Sequence, residues 1–168
     1  MTMLALCALA TPAMAADRAR ASELMRLTSS HEFTAGAYKM SIRRKQAEAG
    51  FTDAQLACID AIPSTKFAEP VTTAIAEGLS DAELATALEF YRSPAGKKLL
   101  SVMHANLRGK PQPVEISPTD NASIKKFQAT SAGNKLLIEG IVISSDVVSN
   151  AARELSVDAI ENCPTPAK

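Results

Sequence analysis

Tryptophan is absent from this chain, and phenylalanine and tyrosine are scarce, so aromatic residues make up only 4% of the sequence. Since hydrophobic residues reach 46%, the core is expected to consist of Leu, Ile, Val, Met and Ala. Net charge is also lacking, because eighteen acidic residues balance eighteen basic ones. The chain therefore has no general electrostatic field that would attract nucleic acid, and we predict no nucleic-acid partner.

Recognisable catalytic patterns are missing as well. His31 and His104 belong to no HExxH or HxH motif, and both are predicted to be surface or capping residues. No serine lies in a GxSxG setting, and no cysteine has a CxxC partner that would favour zinc binding or redox catalysis. The acidic residues between positions 53 and 89 carry no catalytic signature. We therefore predict a protein that is not an enzyme, with no catalytic, cofactor-binding or metal-binding residues.

The apolar run at residues 3–10 is too short to cross a bilayer, so no transmembrane segment is predicted. It is followed by Ala-Met-Ala at residues 13–15, a small-x-small cleavage site typical of secretory signal peptides. No basic residue precedes the run, which a start codon upstream of Met1 would explain. The alternative is an apolar helix of the mature fold. We predict a signal peptide over residues 1–15 and a periplasmic or secreted protein.

Removal of that peptide would also remove Cys7, leaving Cys58 and Cys163 in an oxidising compartment. We predict that these two form a disulfide bond; the alternative is a pair of buried thiols. The bond would close a loop of about a hundred residues, which contributes up to about 4–5 kcal/mol in the chain-entropy model.

One segment of the sequence occurs twice. Residues 80–100 recur in part as residues 117–137, 37 positions later, and the residues that are identical in both copies are Ser80, Ala85, Phe90, Ala95, Gly96, Lys98, Leu99 and Leu100. In each copy a polar residue able to cap a helix follows a helical stretch and precedes a second one. The pattern predicts an all-α fold, a compact bundle of six to eight helices with two related helix-corner units. We expect a single helical domain over residues 16–163 and a disordered tail at residues 164–168.

Two further helices are predicted from their apolar spacing. The helix over residues 31–49, which Gly50 should end, is expected to turn four residues inward: Phe33, Ala37, Met40 and Ile42. Residues 134–162 are predicted to form one long buried helix. The alternative for Ile141-Val142-Ile143 is a strand, for which the chain offers no second strand to pair with.

The first corner has two interpretations. In the structural one, Ser93 caps a helix, Pro94 occupies its first turn, Gly96 admits a neighbouring backbone, and Lys97 and Lys98 are solvated. In the functional one, free amides at the helix start act with Lys97 and Lys98 as a weak anion site. The candidate site residues are then Ser93, Gly96, Lys97 and Lys98.

This corner resembles a family of secreted bacterial all-helical proteins of unknown function. The resemblance lies in an acidic, capped helix leading to Phe-Tyr-x-Ser-x-x-Gly-Lys-Lys, and it covers roughly residues 75–120. The second copy departs from this signature, with Gln128 at the tyrosine position and Asn134 at that of the first lysine. The resemblance implies an all-helical fold and export, and it implies no particular activity.

Three functions follow from these patterns. The first is an exported, non-enzymatic binding or interaction protein that acts through helix surfaces, with a protein partner or as a homo-oligomer. The second is an envelope inhibitor or immunity protein against a toxin or a cell-wall hydrolase. The third is a cell-wall hydrolase, which would require two convergent carboxylates, or a histidine with an acid, in one pocket.

Overall fold

The computed structural model describes residues 12–110 and 114–163, and every regular element in these two ranges is helical, which confirms the predicted all-α class. Eight of the helices there contain at least eight residues. In chain order the α-helices are α1 Pro12–Thr28, α2 Ser30–Arg44, α3 Gln46–Ala49, α4 Asp53–Asp60, α5 Ala68–Gly78, α6 Asp81–Arg92, α7 Pro94–Leu107, α8 Pro118–Gln128, α9 Ser131–Gly133 and α10 Asp146–Glu161. A 3-10 turn, Ser64–Phe67, precedes α5, and a π-helical turn, Asn134–Glu139, continues α9.

Helix α5 lies at the centre of the packing and contacts α1, α2 and α10. The largest side chains that are fully buried are aliphatic with one exception, as the composition predicts: Phe67, Leu24, Ile59, Ile75, Leu84 and Val71. Several helices around this core begin with a capping residue whose side chain bonds to the first turn. Thr52, Ser80 and Ser117 each form a reciprocal capping box with the residue three positions later, so two backbone donors are satisfied at each start.

The predicted disulfide is confirmed: Cys58 in α4 is bonded to Cys163, just after α10, with a Cα–Cα distance of 5.8 Å. It joins positions 105 residues apart in the sequence. The bond therefore fastens the last helix to the middle of the chain.

The prediction of one buried helix over residues 134–162 is wrong. The π-helical turn ends at Gly140, whose φ of 63° is left-handed, and turns follow before α10 begins at Asp146. Left-handed backbone is readily adopted by glycine, which is why it so often ends a helix. The break leaves Ile138 and Ile143 with 64% and 60% of their surface exposed.

The predicted inward face of the second helix is also largely wrong. Thr34 and Ala35 are the buried residues of α2, and Tyr38 and Ile42 pack against the core, whereas Met40 is 48% exposed. Helix α2 ends at Arg44, and Gly50, also left-handed, follows the short α3 as predicted. Of the four residues expected inward, Ile42 packs against the core as predicted, whereas Met40 lies on an exposed face.

The terminal predictions fall mostly on residues outside the described ranges. Residues 1–11 of the predicted signal peptide and the whole tail at residues 164–168 are among these. The predicted cleavage site lies in the first turns of α1, and Ala21 is the first buried core residue among residues 17–28 of that helix. Within the described ranges, no helix is long and apolar enough to cross a membrane.

Candidate functional site

Both corners are built on the same close contact. Ser93 Oγ accepts a hydrogen bond from the Gly96 amide at 3.1 Å, and Thr130 Oγ1 accepts one from the Gly133 amide at 3.0 Å. A β-carbon on Gly96 would lie 2.1 Å from the carbonyl oxygen of Phe90, and one on Gly133 would lie 1.9 Å from that of Phe127. No real β-carbon tolerates such distances, so glycine is required where each corner folds back on the preceding helix.

The two copies also pack against each other. The rings of Phe90 and Phe127, which occupy equivalent positions in the repeat, stack with centroids 4.0 Å apart and an interplanar angle of 7°. Tyr91 meets the Phe127 ring edge-on at 5.6 Å and is buried. This burial raises the pKa of the Tyr91 hydroxyl above its ordinary value.

Two ion pairs join the copies reciprocally. Lys98 Nζ of the first copy lies 2.6 Å from Asp120 Oδ2 of the second, and Lys135 Nζ of the second lies 2.8 Å from Glu83 Oε1 of the first. Lys98 and Lys135 are equivalent in the repeat, and so are Glu83 and Asp120. In the first pair the lysine belongs to the first copy and the acid to the second, and in the other pair this order is reversed. Such a reciprocal exchange is typical of two-fold symmetry, which is formed here within one chain.

The reciprocal pairs lower the pKa of both carboxyl groups. Hydrogen bonds from Lys135, Ser131 and Ser80 lower the pKa of Glu83 to about 2. Hydrogen bonds from Lys98 and Ser117 lower the pKa of Asp120 to about 2. Each carboxylate therefore accepts a hydrogen bond within its own capping box and also forms an ion pair with the other copy.

Two of the donors of the candidate anion site are already engaged. The Gly96 amide donates to Ser93, the Lys98 ammonium lies against Asp120, and Lys97 is exposed. The solvated lysine of the structural interpretation fits Lys97, whereas Lys98 has a protein partner. An anion at this corner would have to compete with Ser93 and Asp120, and the anion site stays a prediction.

His104 and four of the acids named for a hydrolase each have a separate partner in the described part of the chain. The His104 ring packs on Phe33 at 5.1 Å, and its Nε2 lies 3.3 Å from the Thr28 carbonyl oxygen at the end of α1. Four of the acids between positions 53 and 89 instead pair with separate bases: Asp60 with Arg43, Glu69 with Arg18, Asp81 with Arg20, and Glu83 with Lys135. No group of three metal-ligating side chains occurs in the described part of the chain.

The most distinctive concave feature is a half-open apolar cavity of about 150 Å³ under residues 136–143. Helices α1, α2, α5, α6 and α7 form its floor and walls, and the segment around Gly140 covers it. It is lined by Leu24, Thr28, Ser30, Phe33, Thr34, Ile75, Tyr91, Leu100, Met103, Leu136, Leu137, Gly140, Val142 and Ile143. Apart from three hydroxyl residues at the α1–α2 junction and the Tyr91 phenol, the lining is almost wholly hydrocarbon.

Sequence reasoning did not identify this cavity, although two of its signals are visible in the sequence. The apolar run around Leu136–Ile143 is richer in hydrocarbon than one face of a helix can bury. Phe33 belongs to an apolar stripe of α2 that was predicted to lie in the core. What the sequence lacks is the position of the break at Gly140, which turns this run into a cover.

Residues 66–108, about a quarter of the chain, match a family described as an uncharacterized protein conserved in bacteria (DUF2059). The matched stretch runs from the 3-10 turn before α5 through the end of α7, so it contains the first corner unit and ends before the second. Neither the curated proteins nor the solved structures contain a significant match to the chain.

Proposed function

We propose that this chain is an exported, non-enzymatic binding protein that works through the surfaces of its helices, and that its binding site is the apolar cavity beneath residues 136–143. The observation that carries the proposal is the cavity itself, half-open and lined by aliphatic side chains. Export is supported by the predicted signal peptide, and the Cys58–Cys163 bond suits an oxidising compartment.

The cavity favours binding for an energetic reason. Protein interiors are normally close-packed, and a void of this size lowers stability because its lining loses dispersion contacts. Apolar cavities of about 150 Å³ can take up benzene-sized molecules and stay dry without them. Ile143 lines the cavity and is exposed, so an apolar ligand would also remove hydrocarbon from water.

Methyl NMR of the folded protein titrated with benzene tests this proposal. We expect shift changes confined to cavity methyl groups, such as those of Leu100, Leu137 and Val142. Val142→Phe, which fills the cavity from its cover, should abolish the shifts. Val157→Phe, the same change at an exposed site on α10, should preserve them. Saturating benzene without any shift in the folded wild-type protein would refute the proposal.

A further inference from the structure

The cavity borders two depressions along α2. A depression between α2 and α10 adjoins it and shares Thr34 and Ile143 with its lining. A third depression, at the end of α2, shares Ala37 and Ser41 with the second. We call the second and third depressions together the α2 groove. It extends from Thr34 to Lys45, and Thr34 to Arg44 alone spans about 15 Å at the rise of an α-helix.

The walls of the α2 groove include the apolar residues that were expected in the core. Phe33 lines the cavity, Ala37 lines both parts of the groove, and Met40 lines its outer part. These residues are spaced i, i+4 and i+7, so they form one continuous stripe on α2. Met40 and Ile143 are two of the four large hydrophobic residues that stand exposed in the described ranges. The stripe is therefore apolar surface that the fold leaves accessible.

The outer end of the α2 groove is basic. Arg44 and Lys45 line it, and Arg153 lines its middle part. Within residues 12–110 and 114–163, none of these three takes part in an ion pair, whereas the neighbouring Arg43 is paired with Asp60. The site thus changes from hydrocarbon at the cavity to free positive charge at the end of α2.

We propose that the cavity and the α2 groove together bind a fatty acid, with its hydrocarbon tail in the cavity and its carboxylate at Arg44 and Lys45. This inference rests on the proposed function and specifies its ligand class. An apolar tail matches the lining of the cavity, and a guanidinium offers the paired donors that suit a carboxylate. The cavity and the α2 groove together form an elongated site, which favours a single extended hydrocarbon chain over a compact apolar molecule.

An amphipathic helix from a protein partner fits this site less well. A helix with its side chains is about 10–12 Å in diameter and could lie on the groove, but it could not enter a half-enclosed space of about 150 Å³. An extended hydrocarbon chain is thin enough to occupy both the cavity and the α2 groove. The narrow cavity beside the groove therefore favours a lipid chain over a peptide.

Isothermal titration of the full folded protein with octanoate, decanoate and laurate, all below their micellar concentrations, tests the tail. We expect affinity to rise by about fourfold for each added methylene group until the site is full. Ser41→Phe places a ring in the stretch shared by both parts of the groove and should weaken laurate binding at least tenfold. Ser123→Phe is the matched control, since Ser123 is also an exposed helical serine bonded to its own helix but lines none of these depressions.

The head group is tested by charge removal. The double variant Arg44→Gln, Lys45→Gln should weaken laurate by about fivefold, as expected for exposed ion pairs, and leave the neutral dodecanol unaffected. Lys125→Gln, Lys126→Gln removes the same charge from the last turn of α8 and should change neither. Laurate binding that is equal in all variants, or absent from the folded wild-type protein, would overturn the inference. If benzene shifts the cavity methyls but no fatty acid binds, the proposed function survives and the fatty-acid assignment fails.

Discussion

Gly96 is the residue on which the first corner depends. A β-carbon there would lie 2.1 Å from the Phe90 carbonyl oxygen, and backbone cannot move aside as a side chain can. We therefore expect Gly96→Ala to lower the free energy of unfolding by about 3 kcal/mol, the upper part of the usual range for overpacking. Urea denaturation measures the change.

Gly36 in α2 provides the control for that prediction. A β-carbon at Gly36 would meet only the tip of Leu107, a flexible side chain, at 2.9 Å. Because alanine favours a helix over glycine by about 1 kcal/mol, Gly36→Ala should be neutral or slightly stabilising. Equal losses from the two substitutions would mean that the corner contact does not determine the need for glycine.

At the scale of elements, the two corner units hold each other through the reciprocal pairs. Removing one ammonium should affect only the carboxylate that it contacts. We expect Lys135→Gln to raise the pKa of Glu83 from about 2 towards its ordinary value and to leave that of Asp120 low. Lys98→Gln should do the opposite, and carbon-13 NMR titration of the side-chain carboxyls reports both groups.

The same pairs predict how acid acts on the fold. Both pKa values are depressed in the folded state, so the stabilisation is fully present above the unfolded values near pH 4 and is lost as pH falls towards about 2. We expect the melting temperature of the wild-type protein to fall over this interval. The double variant Lys98→Gln, Lys135→Gln should show a smaller fall, and an unchanged acid profile would contradict this account.

The features that could be predicted from the sequence are those that depend on contacts between residues close together in the chain. Ser80, Ser93 and Gly96 act within six residues of themselves, so capping rules identify the corner without knowledge of the fold. The Lys98–Asp120 pair depends on how two distant copies meet, which no spacing reveals. Helix α2 is apolar on more than one face, and the packing of Phe67 and α10 against it decides that Tyr38 is covered while Met40 is not.

At the scale of the whole molecule, export remains a prediction with a direct measurement. The cleavage site after Ala15 precedes Ala21, the first core residue among residues 17–28 of α1, so cleavage would leave Ala21 and the core residues after it in the mature chain. Mass spectrometry of the protein from the periplasmic fraction of an expressing bacterium should give a mature chain that begins at Ala16. A chain in that fraction that retains residues 1–15 would contradict the assignment.

The disulfide holds the last helix against the rest of the chain. Its loss should lower the free energy of unfolding and loosen the packing at the α2 groove. In the chain-entropy model a loop of about a hundred residues gives about 4–5 kcal/mol, and measured losses for native bonds are about 2–5 kcal/mol. We expect Cys58→Ser, Cys163→Ser to lower the free energy of unfolding by an amount in that range, measured by urea denaturation. Each single variant should lose nearly as much as the double, because either one abolishes the bond.

Val148, Ala152 and Arg153 of α10 form one wall of the α2 groove, so reduction should also increase amide exchange along that wall. Unchanged exchange in α10 after reduction, with the fold intact, would mean that packing alone fixes the helix.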